Sequence, residues 1–228
     1  MPPKIIPSKP KFRSKSEEKV FHALCNSLGP DDALICNFEF TDLNIGDLEV
    51  DFILLIRDLG LIVIEVKGGH IAYDGKEWIQ SDSKSTRVIN PAGQAKKNLY
   101  SFRNFLRNRW SQGNIKDDWL VCFPDSEVKN SNSPDLPIQK IVDKVNLNFI
   151  MSTIKSIMNS KTSGLVPSGS AWIEAALIHI QPAIMKELDH PSVLGNNYSY
   201  IKNLTHQNLL LLDQLSDNDK FFVYGPAG

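Results

Sequence analysis

The longest regular pattern in the chain is an alternation of apolar and polar positions over residues 47–67. From 47 to 57 the even positions are all apolar: Leu48, Val50, Phe52, Leu54 and Ile56. The odd positions begin Asp47, Glu49, Asp51. Side chains alternate between the faces of a strand, so this predicts a strand with one core face and one face that starts acidic. Asp58-Leu59-Gly60 predicts a tight turn. A second strand follows over 61–67, with Ile62, Ile64 and Val66 on one face and Leu61, Val63, Glu65 and Lys67 on the other. The short turn makes the two strands antiparallel neighbours.

The flanking pattern supplies further elements. Val20, Phe21, Leu24 and Leu28 share one helical face behind Ser16, which predicts a helix capped by Ser16. Glu17 falls on that same stripe, where a carboxylate wants a partner. A first-turn glutamate favoured by the helix dipole is the plainer alternative. Residues 33–40 predict a strand, and 70–80 a small hairpin turning at Asp74-Gly75. Asn90-Pro91 opens a helix over about 92–109, with Leu99, Phe102 and Leu106 as its stripe. A strand at 119–123, a long loop at 124–140 and helices at 147–159 and 171–187 follow. A last helix at 204–215 and a strand at 220–224 end the pattern. The expected organisation is an extended, poorly ordered basic lead-in (1–15), one α/β domain (16–145), a helical extension with a linker (146–200) and the start of another domain (201–228).

Composition narrows the setting. A chain of 228 residues with 42% hydrophobic content can bury one sizeable core. A net charge of −1 gives no global sign of a nucleic-acid or membrane partner. The three cysteines form no zinc-like pairs and no disulfide framework, and no apolar run reaches membrane-spanning length. A cytoplasmic location, with no membrane partner, is the expectation.

The chemistry gathers in the opening stretch. Glu65 and Lys67 lie on one strand face, and Asp51 meets Glu65 across the ladder if the two strands pair. Two carboxylates forced together repel unless a proton or cation sits between them. Mg²⁺ or Mn²⁺ suits such a site, because hard oxygen ligands and retained waters satisfy it. The carbonyl of Val66 and the carboxylate of Glu17 are further candidate ligands. Lys67 can orient the attacking water or stabilise charge in the transition state. The competing reading is an edge strand with solvated acids and a guarding lysine.

Asp51 followed by Glu65-Val66-Lys67 resembles the D…E-x-K signature of the PD-(D/E)xK nucleases. More closely, the chain resembles the nuclease-related domain, the NERD family. Glu17 and Val20 match its early helix, Glu49-Val50-Asp51 its acidic-apolar-Asp step, and Ile64 to Lys67 with Gly68 its central motif. Asn90, Pro91 and Gln94 match its Asn-Pro-x-x-Gln helix start. The resemblance covers about residues 14–125. It implies a restriction-endonuclease-like α/β fold, a mixed central sheet flanked by helices, and metal-dependent cleavage of phosphodiesters. It also implies catalytic roles for Asp51, Glu65, Lys67, Gln94 and Glu17. Tyr100, six residues after Gln94, is given no catalytic role.

Two further stretches point to polyanions. Between 84 and 109 there is no acid, but there are Lys84, Arg87, Lys96, Lys97, Arg103, Arg107 and Arg109. The first six are candidate DNA contacts, against the alternative of a solvated helix face. At the C-terminal end, Leu204-Thr205-x-x-Gln207, the apolar strand and Gly225-Pro226-Ala227-Gly228 resemble the start of a superfamily 1 helicase motor. Gln207, Gly225 and Gly228 would then begin a nucleotide site whose Gly-Lys-Ser/Thr the chain does not carry. The expectation is the N-terminal part of a nuclease–helicase, truncated at that phosphate-binding loop. Its partners would be DNA and a helicase domain in cis, with a homo-oligomer left open, and ATP would be needed by the full-length protein alone. Its biological role would be DNA processing or defence against phage. A non-catalytic DNA-binding module that targets the helicase is the alternative.

Overall fold

A computed structural model describes residues 2–42, 46–81, 85–108, 110, 115–128 and 133–185. The chain divides into two units, Met1–Ile184 and Met185–Gly228, and every described strand falls in the first. The expected last helix and last strand lie outside the described residues.

The elements in order are β1 (Lys4–Ile6), α1 (Lys15–Cys25), β2 (Ala33–Asp42), β3 (Gly46–Ile56) and β4 (Gly60–Val66). Then come β5 (His70–Tyr73), β6 (Trp78–Ser81), β7 (Thr86–Ile89), α2 (Pro91–Arg107) and β8 (Asp117–Phe123). β9 (Ile141–Asp143), α3 (Ile150–Ser160) and α4 (Ala171–Met185) complete the set. Six strands form a mixed sheet in the order β1-β2-β3-β4-β8-β9. β3 pairs antiparallel with β2 and β4, while β4, β8 and β9 run parallel. β5, β6 and β7 form a separate three-stranded antiparallel sheet.

Each face of the main sheet buries its own apolar layer. Ile53, Leu55, Val63 and Val121 pack with Leu99, Phe102 and Leu106 of α2 and with Trp172 and Leu177 of α4. Phe52, Leu54, Ile62, Ile64 and Cys122 pack with Val20 and Leu24 of α1 and with Ile154 and Met158 of α3. This is a restriction-endonuclease-like arrangement, a central sheet between helical layers. The helices expected as an extension are thus part of the two cores. No helix among the described residues is long and apolar enough to cross a membrane.

The alternation in β3 is not continuous, which corrects the single core face expected from the sequence. Leu48 and Val50 lie in the α2 layer, but Phe52, Leu54 and Ile56 lie in the α1 layer. β2 switches in step: Leu34 and Cys36 face α1, whereas Phe38 and Phe40 face α2. Pairing stays in register on both sides of the switch, with Cys36 opposite Phe52 and Phe38 opposite Val50. The turning point is Asn37, at φ 48°, between those two pairs. Asparagine tolerates the left-handed region better than most residues, and its amide Nδ2 is held by the carbonyl of Lys11 at 2.5 Å.

Smaller differences have local causes. The N-cap of α1 is Ser14, not Ser16: Ser14 Oγ accepts from Glu17 N at 3.2 Å, the S-x-x-E start of a capping box. The lead-in expected to be poorly ordered contributes β1, which adds to the sheet edge beside Ala33 to Ile35. β7 and β9 come out of stretches read as loop or left unassigned. Four and three residues are too short for a periodic signal.

Candidate active site

The β3–β4 ladder runs from Ile56 opposite Gly60 to Phe52 opposite Ile64. The next step in register would oppose Asp51 and Glu65, and there the backbone pairing stops. Side chains take over. Asp51 Oδ2 accepts from Val66 N at 2.7 Å, in the place of a ladder carbonyl. Glu65 is almost fully buried, with 1% of its side chain exposed. Its Oε1 accepts from Lys67 Nζ at 2.6 Å and its Oε2 from Asn98 Nδ2 at 3.2 Å. Lys67 Nζ also donates to Gln94 Oε1 at 2.9 Å. Asp51, Glu65, Lys67 and Gln94 therefore meet at one splayed strand end.

α2 is placed by its start. Asn90 Oδ1 accepts from Gly93 N at 2.8 Å, and proline follows at the first helical position. A Cβ on Gly93 would lie 2.6 Å from the Asn90 amide, so only glycine leaves room for this cap. One turn on, Gln94 and Asn98 project toward β4 at the four-residue spacing that puts side chains on one helical face.

Electrostatics follow from burial. Burial, with Asp51 next to it, pushes the Glu65 carboxyl up to about 8, against the pull of Lys67. Burial raises Asp51 to about 6, opposed by the Val66 N–H and Lys67 and helped by Glu17 and Glu49. The pair therefore holds a proton near neutrality, or can exchange it for a cation. Asp51 Oδ1 has no donor among the described residues, which leaves it as an available ligand atom. Two carboxylates, one with such an oxygen, and a neighbouring carbonyl fit a hard ion that keeps several waters.

Glu17 is near enough to raise Asp51, but its oxygens are engaged on its own side of the site. Its Oε2 accepts from Arg13 N at 3.0 Å and its Oε1 from Ser14 Oγ at 2.8 Å. Arg13 extends its guanidinium to Glu39 and Glu49, which oppose each other across β2 and β3. Among the described residues no group of three His, Cys, Asp or Glu is gathered at metal-binding spacing.

The candidate DNA contacts separate into classes. Arg103 is committed to Asp117, at 2.5 and 2.6 Å. Lys96 reaches the carbonyl of Asp135 at 3.3 Å and lies over the Trp119 ring. Arg87, Lys97 and Arg107 are exposed. Tyr100 is exposed and stacks under Arg103. Lys84, Arg109, Gln207, Gly225 and Gly228 lie outside the described residues.

Two supporting residues escape a reading of the sequence, and a third, Gly68, is read there only as the end of the central motif. Asn98, 2% exposed, donates through Nδ2 to Glu49 O at 3.0 Å as well as to Glu65, so it spans the gap between β3 and β4. Its one local signal is its place four residues after Gln94. Asp125 gathers Ser16 Oγ, Lys19 Nζ and Gly69 N, which ties the start of α1 to the exit of β4. Burial works against its charge, but those donors together hold the Asp125 carboxyl below its usual value. Gly68 passes so close to Ser16 that a Cβ would sit 2.2 Å from its Oγ.

No curated protein and no solved structure matches the chain. The family model NERD, the nuclease-related domain, matches residues 13–124, the segment that runs from Arg13 beside the acidic end of β3 through Asp51, Glu65, Lys67 and Gln94 to the end of β8.

Proposed function

We propose that this segment hydrolyses DNA phosphodiester bonds with Mg²⁺ or Mn²⁺ as cofactor. The observation that carries the reading is the convergence of Asp51, Glu65 and Lys67 where the β3–β4 ladder opens. Asp51, Glu65 and the Val66 carbonyl would hold the ion, with Glu17 as a further carboxylate from α1. When bound, the ion neutralises charge growing on the phosphate and makes water more acidic. Lys67, fixed between Glu65 and Gln94, presents Nζ to the attacking water and to the phosphate oxygen on which charge develops. Gln94 keeps that ammonium in place and borders the substrate. Lys97, Arg87 and Arg107 offer positive charge to the flanking backbone.

The test is cleavage of plasmid and single-stranded DNA with Mg²⁺, Mn²⁺ or EDTA by wild type, Asp51→Ala, Glu65→Ala and Lys67→Ala. Metal-dependent cutting by the wild type, lost in all three variants, is expected. Cutting that survives all three substitutions would overturn the site.

A second reading, a non-catalytic DNA-binding module, is favoured by one observation: Glu17 is engaged by Arg13 and Ser14, so the acids do not form a set of three. DNA binding without cutting under every metal condition would select it. We place the segment at the head of a nuclease–helicase acting in DNA processing or anti-phage defence, with Gln207, Gly225 and Gly228 opening the ATP site. DNA-stimulated ATP hydrolysis by a chain extended beyond Gly228 tests that placement.

A further inference from the structure

The three-stranded sheet β5–β7 contributes one charge, Arg87, to the reading above, and it leaves the main sheet directly after Lys67. Its root is pinned. Gly69 N donates to Asp125 Oδ2 at 3.0 Å, and Ser126 Oγ donates to Gly69 O at 2.8 Å. Ile71 N donates to Ser126 Oγ at 2.7 Å. Its middle is bolted to the core: Trp78 is buried, packs at a tilt against Phe123 and donates its indole N–H to Ser133 Oγ. Its outer strand, β7, is exposed at Thr86, Arg87 and Val88 and runs straight into the Asn90 cap of α2.

Arg87 is held on this strand in an unusual way. Its Nε and Nη2 both donate to Gln80 Oε1, at 3.0 and 2.9 Å, across the β6–β7 register. Gln80 Nε2 in turn donates to Gly68 O at 2.7 Å, one residue beyond Lys67. Arg13, Arg57 and Arg103 each face carboxylates. Arg87 meets only an amide oxygen among the described residues, and no carboxylate among them is paired with it. An oriented guanidinium with a free edge suits a phosphate oxygen pair.

We propose that β5–β7 is a substrate arm and that Arg87, positioned by Gln80, forms a subsite for a nucleic-acid backbone phosphate flanking the scissile one. The proposal rests on the nuclease reading for what lies next to it, but it concerns binding and is tested without cleavage. The probe is a fluorescently labelled duplex oligonucleotide, its affinity measured by polarisation in EDTA over a range of KCl concentrations. Arg87→Gln is expected to weaken binding roughly tenfold at low salt and to lower the slope of log affinity against log salt by about 0.9. Gln80→Leu leaves the charge but frees it, so affinity falls about threefold with the slope unchanged. Arg57→Gln, which removes a neutralised arginine, changes neither. Equal slopes for wild type and Arg87→Gln overturn the arm, as does a wild type that does not bind the duplex. Displacement of the duplex by inorganic phosphate at matched ionic strength reassigns the subsite to free phosphate and also overturns it. A wild type that binds through Arg87 and never cuts defeats the nuclease reading and leaves the arm standing.

Discussion

Asp51 and Glu65 sit one register step beyond the last ladder pair, and that step decides their chemistry. Both carboxyls are raised, from 3.8 to about 6 and from 4.5 to about 8. The folded, metal-free protein therefore binds protons more tightly than the unfolded chain between about pH 4 and pH 8. The stabilisation these groups give is complete below that window and is lost as pH rises through it. In EDTA the wild-type melting temperature should fall across this range, while Glu65→Gln should fall less and stand roughly 2–6 °C above wild type at pH 8. Added Mn²⁺ should raise the wild type at pH 8 and leave Glu65→Gln nearly unmoved. A wild type and variant with parallel pH profiles would show that Glu65 ionises normally. Asn98 carries the companion prediction. Asn98→Leu keeps the volume but removes both donations, to Glu65 and to Glu49 O, so turnover should fall about 10–100-fold and half-saturating Mn²⁺ should rise. Full activity at wild-type Mn²⁺ would remove Asn98 from the site. The convergence of Asp51, Glu65 and Lys67 was legible because residue type and strand spacing together specify it. Asn98 was not, because a single amide on a helix reads as solvated until α2 is docked on β3.

Among the elements, β3, β4 and α2 were legible nearly to their ends. The long apolar run and the Asn-Pro start are strong local signals. The face switch was not, since it depends on Asn37 adopting a left-handed backbone that its sequence neighbours do not demand. The consequence for the site is direct. With the alternation reversed at Asp51, Glu39 and Glu49 turn toward Arg13 while Phe52 enters the α1 layer. The apolar odd positions Ile53 and Leu55 were the trace of this, because a strand apolar at every position is buried on both faces. The start of α2 offers an element-scale test. Gly93→Ala drives a Cβ into the Asn90 amide, and Asn90→Ala removes the cap outright. Either should cost about 1 kcal/mol of stability, within a range of 0.5–2. Either should also lower turnover, because Gln94 sits in the turn being disturbed. Chemical denaturation paired with the cleavage assay checks both. A stability loss with unchanged turnover would show that Gln94 does not depend on the cap.

The whole described unit is larger than the segment matched to the nuclease-related domain. The match ends at residue 124, yet β9 completes the sheet edge at Asp143, and α3 and α4 close the two apolar layers. Ile150, Ile154 and Met158 are fully buried against Cys122, Val142 and Val20. Ala176, Leu177 and Ile180 are equally buried beside Phe102 and Val63. The sequence pattern showed these helices, but not that they cover this sheet, since periodicity gives a helix its apolar face without naming the partner. The physical argument is that a central sheet buried on both faces needs a helical layer on each. A chain ended after residue 145 keeps Asp51, Glu65, Lys67, Gln94 and Asn98 but uncovers both layers. It should retain far-UV helix and strand signal, lose near-UV signal, bind a hydrophobic dye and lose cooperative melting. A chain ended after residue 185 should melt cooperatively and bind no dye. Both chains behaving alike in circular dichroism and dye binding would show that the nuclease-related segment folds without its two later helices. In that case their burial contributes nothing to holding the strand ends of the site together.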